Sequence, residues 1–491
     1  MNVLPPLTLI AQLCETLELN RIIYCHWKSN AAINHSASGD NDLDLLVNRS
    51  DIQHFRGILF QLGFKECLVD KIKELPGVQD FLGYDVQSDK FVHVHAHYQL
   101  ILGHDLSKNY HIPVEKAYLE SARQCGLFKV PAPEFELVIF VIRMIIKHST
   151  WFTILNRDGK LSRTEEQELT YLEANVDPAK VAGILKQHLP FIDVELFDEC
   201  LRALRPGCPL MRRVRTGWRL QSRLNAHARR PQMADMLVKL WRRIKLIFLW
   251  HVLKKRQGFR LANGGAMIAI VGGDGAGKTT AIDSLHAWLS PRFDAVKTHM
   301  GKPPWSKTTF VVRGFLKIGS SLHLYPFEKT PVQYGEDENS YEFPGFPWLI
   351  RQVCTARDRL MTFTDARRYA SNGGIVICDR YYMQQIRYME GPSASIRMTN
   401  QVRNHWLVKF LIRLETKYYQ QILLPELLIV LRLDPEIAVL RKQEEPEFSV
   451  RARSNEIWEF NWKSTAAHVI DANQPKEAVL SEIKCLVWSE L

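Results

Sequence analysis

The chain has 491 residues, 46% hydrophobic and 24% charged. That is an ordinary globular composition, too long for one core, and it predicts two or three domains. No apolar run approaches the ~18 residues of a membrane span; LVIFVI stops at Arg143. The opening MNVLPPLTLIAQLCETLELN has no basic start and carries Glu15 and Glu18, unlike a signal peptide. The net charge of +11 is uneven: 201–261 holds seventeen Lys and Arg against Asp235 alone, a local +16 that leaves −5 elsewhere. This describes a near-neutral protein with a basic middle. Nine dispersed cysteines without a CxxC pair predict free thiols in a reducing compartment, so the expected location is cytoplasmic.

The first elements in the chain are short strands, RIIYCHW (21–27) and LDLLV (43–47). GDNDLDLLV sets Asp42 and Asp44 two apart, hence on one face of a strand. Two such carboxylates can hold Mg²⁺ for nucleotidyl transfer. CHWKSN, whose Ser29 lies thirteen residues before Asp42, resembles the nucleotidyltransferase strand that ends in Gly-Ser, with Lys28 in place of the Gly. That resemblance implies a third carboxylate on a later strand. The candidate strand, FVHVHAHYQL (91–100), instead carries His93, His95 and His97 on one face. Those imidazoles could bind a transition metal, bind an anion, or pack against Tyr98. The DxD pair itself has three readings: a solvated strand end, active transfer, or a ligand-binding remnant. PEFELVIFVIRMIIKH (133–148), with its Pro start, acidic first turn and helical spacing, predicts a buried helix.

The basic middle contains MLVKLWRRIKLIFLWHVLKKR (236–256), with apolar residues at 237, 240, 241, 244, 247, 248 and 252. This is helical spacing. Trp241 and Trp250 flanked by Lys and Arg suit an interfacial helix on anionic lipid. A helix packed between domains is the alternative. Nucleic acid is the weakest reading, because no nucleic-acid fold signal accompanies the charge.

After the turn NGG (263–265), the apolar strand AMIAIV runs into GGDGAGKTT, Gly272 to Thr280, and then a helix. Gly272, Gly277, Lys278 and Thr279 match GxxxxGK[ST], a loop whose backbone N–H groups cradle a phosphate chain. GGIVICDR (373–380) and LLIVLRLD (427–434) are further apolar runs suited to a buried parallel sheet. The alternation predicts a doubly wound α/β domain.

This half of the chain resembles the thymidylate kinase family. The loop is similar, including Asp274 four positions before the Lys; IVICDRYY resembles the strand ending in Asp-Arg-Tyr, here Asp379, Arg380 and Tyr381. ARDR (356–359) resembles the helix that supplies a substrate-contacting Arg, here Arg359. LRLDPEIAVLRK resembles the segment leading to the lid, where Arg441 starts it and Arg451 and Arg453 follow. The resemblance implies ATP and Mg²⁺ as cofactors. ATP would sit on Gly272, Gly273, Asp274, Gly275, Ala276, Gly277, Lys278, Thr279 and Thr280. Lys278 would bridge the donor phosphates; Thr279 would hold Mg²⁺ directly and Asp379 through water. Arg380, with Arg359 and Tyr381, would hold the acceptor. Asp274 would accept a hydrogen bond from an acceptor hydroxyl, or alternatively would stabilise the loop. Because Ala276 occupies the loop, the catalytic Arg would come from Arg441, Arg451 or Arg453, unless the last two are only solvated charge beside Glu444, Glu445 and Glu447.

The chain departs from the family where the acceptor binds. THMGKPPW (298–305) and YMQQIRYMEGP (382–392) replace the usual segments, and 301–350 is long and rich in Pro and aromatics. The organisation predicted is a nucleotidyltransferase-like α+β domain with a helical extension over 1–205, a basic helical connector over 206–262, and a P-loop kinase domain over 263–491. The expected activity is transfer of the ATP γ-phosphate to a nucleoside monophosphate or to another phosphorylated or sugar acceptor. Such fusions resemble those found with surface-polysaccharide synthesis. The alternatives are a nucleotidyltransferase regulated by its P-loop domain, and a nucleotide-gated binding protein. The expected partners are a small phosphate acceptor and, through the connector, an anionic membrane; a homodimer is the expected assembly, and no specific nucleic acid is expected.

Overall fold

The computed structural model describes residues 5–71, 74–104, 106–149, 160–251, 258–322, 345–386, 391–392, 394 and 405–491. The chain divides into two compact units, Met1–Gln257 and Gly258–Leu491. Of the basic stretch, 206–257 belongs to the first unit and 258–262 to the second.

The first unit is built on strands β1 (Tyr24–His26), β2 (Leu43–Val47), β3 (Lys65–Leu68), β4 (Val78–Asp85) and β5 (Lys90–His97), in the spatial order β1-β2-β5-β4-β3. β2 and β5 are parallel; the other pairings are antiparallel. Strand periodicity then sorts the side chains of β5 by face. Val92, Val94 and Ala96 enter a core with Leu43, Leu45 and Phe81, covered by Ile10, Leu13 and Leu17 of the helix Thr8–Leu19 and by Phe55 of the helix Ile52–Gln61. Each such buried Val, Leu or Phe contributes ~1.5–3 kcal/mol. His93, His95 and His97 fall on the opposite face. Two short hairpins follow, β6 (Ile101–Leu102) with β7 (Tyr110–His111) and β8 (Arg123–Cys125) with β9 (Phe128–Val130).

The helix Pro133–His148 forms over the range read from the sequence and is the hub of a second core. The helices Pro178–His188, Val194–Leu204 and Leu210–Arg223 gather around it. The predicted basic helix forms as Gln232–His251. The rest of that prediction, 252–256, and the Trp250 side chain lie outside the described residues.

The second unit opens with a short strand, β10 (Arg260–Leu261), whose Leu261 N–H donates to Gly373 O at 2.9 Å. Its sheet contains β11 (Ala266–Gly272), β12 (Ala295–His299), β13 (Ile375–Asp379), β14 (Leu427–Arg432) and β15 (Ala467–Asp471), in the order β12-β13-β11-β14-β15. All four pairings are parallel. A parallel sheet is buried on both faces, which is why β11 and β14 read as unbroken apolar runs. The helices Lys278–Leu289 and Lys476–Glu490 pack together against the sheet. Phe346–Ser371 and Trp406–Gln420 form another packed pair, whose Ala356, Phe363, Ala366 and Tyr419 share a core with Met267, Ala269 and Val271. The expected α/β class with a parallel sheet is what this unit forms. The connection after β11 runs to β12 on one side and the connection after β13 runs to β14 on the other, so the C-terminal ends of β11 and β13 form a switch point, where ligand crevices form in such folds.

Candidate functional site

β11 ends at Gly272, and the loop 273–277 delivers the chain to the helix starting at Lys278. Gly275 (φ +71°) and Gly277 (φ +85°) hold left-handed backbone that costs glycine little. A Cβ on Gly277 would meet nothing within 4 Å, so the space before the loop is open. The first-turn N–H groups of the helix face it, an arrangement suited to an anion.

Three cations converge on this loop. Lys278 Nζ arches back to donate to Gly272 O (3.0 Å) and Gly273 O (2.7 Å). Arg441 closes the helix Pro435–Arg441, and its Nη1 donates to Gly275 O at 3.1 Å. Arg453 lies on the helix Glu447–Glu459; its Nε meets Asp274 Oδ2 at 2.6 Å and its Nη2 donates to Glu445 Oε2 at 2.5 Å. The same helix sits close to the loop, since a Cβ on Gly273 would lie 2.9 Å from Ser454 Oγ. The carboxylate of Asp274 therefore meets a guanidinium in this conformation. Arg451, two residues earlier and so on another face of that helix, is instead held by Glu436 and Glu447 at the surface, which raises its pKa. Ala276 is buried, while Thr279 and Thr280 are exposed at the start of the helix.

Asp379 ends β13, beside β11 and level with Ile270; His299 Nε2 lies 3.7 Å away. Arg380 follows it, exposed and with φ +55°, a left-handed conformation uncommon for a side chain of this size. Arg359 and Tyr381 are buried. Arg359 Nε donates to Met300 O (2.7 Å), its Nη2 to Gly301 O (3.2 Å), and its Nη1 to Tyr419 Oη. Tyr381 Oη donates to Leu423 O at 2.5 Å, and burial pushes its pKa upward. In this conformation both brace loops beside the site, and Arg380 is the exposed member of the three.

A cavity of about 250 Å³ adjoins the loop, lined by Gly277, Thr280, Leu431, Arg441, Ala472 and Gln474 among others. Sequence reasoning missed the turn after β15 that supplies Ala472 and Gln474. It carries no motif, and only the parallel register of β14 with β15 brings it there.

In the first unit, Asp42 and Asp44 sit on the face bearing the histidines. Asp42 Oδ1 meets His93 Nδ1 at 2.9 Å, and Asp80 Oδ1 meets the other ring nitrogen of His93, also at 2.9 Å. Burial alone would lower the His93 pKa, but the two carboxylates raise it to about 9. Asp44 Oδ1 binds Lys28 Nζ at 2.8 Å. Burial raises the Asp44 carboxyl; Lys28, His95 and His97 overcome this and hold it well below the usual range. Asp80 is a carboxylate on β4, opposite His95 of β5. Its place on the face could not be read before the strand pairing was known. The turn after β1 is held by the chain's own acids: Ser29 N–H donates to Glu168 (3.1 Å) and Asn30 N–H to Glu136 (3.2 Å).

No protein-family model matches the chain. Among curated sequences it is similar to a "Probable thymidylate kinase" of Staphylothermus marinus, 26% identical over 239 residues, covering 47% of this chain and 98% of that protein. It is also similar to the "Uncharacterized ATP-binding protein YghR" of Escherichia coli K12, 25% identical over 221 residues, covering 44% and 84%. These relatives support a P-loop, kinase-like, ATP-binding region in less than half of the chain. No described helix is long and apolar enough to cross a membrane.

Proposed function

We propose that the second unit is an ATP-dependent phosphotransferase of the thymidylate-kinase-like class, moving the γ-phosphate of ATP to a phosphorylated acceptor. The observation that carries this reading is the convergence of Lys278, Arg441 and Arg453 on an open glycine loop beside Asp379 and Arg380. Phosphoryl transfer asks mainly for positioning and charge neutralisation, which such a set supplies. The loop N–H groups hold the donor phosphates, and Lys278 moves from the loop carbonyls onto phosphate oxygens. Thr279 and Asp379, both reachable from the loop, are the residues that would hold Mg²⁺; the ion neutralises charge on the phosphates when bound. Arg380 clamps the acceptor phosphate. Arg453 leaves Asp274 when an acceptor hydroxyl takes the carboxylate, which frees its guanidinium for the transferring group. Arg441 covers the loop and keeps water out. The cavity at Gln474 is the natural seat for the donor's base. A panel of nucleoside monophosphates and sugar phosphates, scored for ADP release above the ATPase background, tests the reading. If none raises ADP release, the phosphotransferase reading fails.

We also infer that the helix Gln232–His251 rests on anionic lipid. Met233, Met236, Leu237, Leu240, Trp241, Ile244, Ile247 and Phe248 are all exposed on it. Their three- and four-residue spacing makes one stripe, bordered by Arg243 and Lys245, while Lys239 pairs with Asp235 and Arg242 donates to Leu106 O on the opposite face. Sedimentation with phosphatidylserine vesicles should bring the chain down at low salt and release it at high salt, because exposed charges are screened within ~10 Å at 0.1 M. Equal partitioning onto neutral vesicles would contradict the electrostatic part.

A further inference from the structure

The face of the first unit carries a donor cluster that nucleotidyl transfer with Mg²⁺ does not require. Asp44, His95 and His97 form the one group of three metal-ligating side chains found among the described residues. Asp44 of β2 lies beside His95 of β5 in the parallel register, and His97 is two residues on along the same face. Asp44 Oδ1 and His95 Nδ1 are 3.2 Å apart, His95 Nδ1 and His97 Nε2 3.3 Å, and His97 Nε2 and Asp44 Oδ1 3.8 Å. Three possible ligand atoms thus lie within 3.8 Å of one another. The nitrogen His95 Nδ1 carries at most one proton, so it cannot satisfy both neighbours as a donor.

Zinc bonds to His N and Asp O are about 2.0–2.2 Å long, so adjacent donors of a tetrahedral site lie roughly 3.3–3.6 Å apart. The triangle's sides of 3.2, 3.3 and 3.8 Å bracket that range. Two imidazoles and one carboxylate are a set for a transition ion, not for Mg²⁺, which takes oxygen donors and waters. Asp80 Oδ1, bonded to His93, lies 3.8 Å from His95 Nε2, too far for a hydrogen bond but near enough for its charge to act on the ring, and Trp27 stands edge-on to His97 at 5.0 Å. Asp42 is outside the set, committed to His93.

We propose that Asp44, His95 and His97 bind a divalent transition metal of the zinc type, with the fourth position open. His97 is buried at the base of the site, while Asp44 and His95 are 14% and 20% exposed, so the open position faces the mouth. Lys28 is the internal competitor. Its ammonium lies 2.8 Å from the Asp44 oxygen that the metal would use, and it must swing aside on binding.

The test uses the full chain, stripped with a chelator and titrated with Zn²⁺ in excess Mg²⁺. Bound metal is counted by mass spectrometry after gel filtration, and Co²⁺ substitution gives a visible spectrum for the ligand field. The expected result is one zinc per chain and a tetrahedral Co²⁺ spectrum. His95→Gln and Asp44→Asn should each weaken zinc by about tenfold or more, with circular dichroism unchanged. Asp42→Asn should leave zinc binding as it is, and Lys28→Met should tighten it. The proposal is overturned if no zinc is retained. It is equally overturned if His95→Gln and Asp44→Asn retain as much as the wild type, or if Lys28→Met binds zinc more weakly.

Discussion

The two units recognise charge in opposite ways, and the contrast explains how each could be read. The loop of the second unit is an anion seat made of backbone, with Gly275 and Gly277 in left-handed conformations and cations drawn over it from Lys278, Arg441 and Arg453. The face of the first unit is a proposed cation seat made of side chains, in which carboxylates of β2 and β4 bracket the imidazoles of β5. A backbone seat needs consecutive residues and leaves a contiguous motif. A cross-strand seat is assembled by register and leaves almost none.

The comparison breaks most sharply at Lys278. Lys278→Ala should abolish ATP turnover while zinc binding by the first unit and the circular dichroism spectrum stay as in wild type. Parallel calorimetry with ATP and with Zn²⁺ reads both arms. Loss of both together would mean that the two seats are not separate.

A second test concerns the first unit alone. Burial raises the Glu136 carboxyl to about 7, beside Glu168 and Arg143 and with the Asn30 bonds acting against the shift. A raised acid binds its proton more tightly in the folded state. Its stabilisation is full below the unfolded value of 4.5 and is lost as pH rises through about 7. One pKa unit is ~1.4 kcal/mol, so the stability lost across that window amounts to about 3 kcal/mol at most. Glu136→Gln should flatten that slope in urea melts run from pH 5 to 8. An unchanged slope would place the titration elsewhere.

Arg380→Ala should raise the acceptor KM and lower kcat, with ATP affinity nearly constant. A charge-assisted bond to phosphate contributes ~1.5–3 kcal/mol. Weaker ATP binding with acceptor kinetics unchanged would move Arg380 to the donor side.

The smallest effect is expected at Asp274. Asp274→Asn keeps an acceptor oxygen but loses the charge that meets Arg453, a change of roughly 1 kcal/mol. Acceptor kcat/KM should fall about fivefold, and an analogue lacking the hydroxyl should no longer distinguish the variant from wild type. If ATP binding suffers instead, Asp274 is a loop brace.

Much of the second unit was legible because its signals are local. The strand Ile375–Asp379 lies inside the predicted 373–380, and Leu427–Arg432 inside 427–434. Pro133–His148 was equally plain, with Pro133 at its first turn and His148 at its last. Burial was less readable. Arg359 and Tyr381 belong to motifs, yet both side chains turn inward onto Met300, Gly301 and Leu423. A motif fixes residue type and spacing, whereas the direction of a long side chain depends on what packs around it. Asp80 shows the other gap. The strand β5 has no carboxylate on this face, and the one that faces His93 and His95 stands on the neighbouring strand, brought there by an antiparallel pairing that local pattern does not encode.

The central claim is that the second unit moves a phosphoryl group and does not merely bind nucleotide. Following the labelled γ-phosphate of ATP, with and without an acceptor from the panel, tests it most directly. Label should appear on the acceptor in wild type and not with Lys278→Ala. Label released only as inorganic phosphate, at a rate indifferent to acceptor, would contradict it.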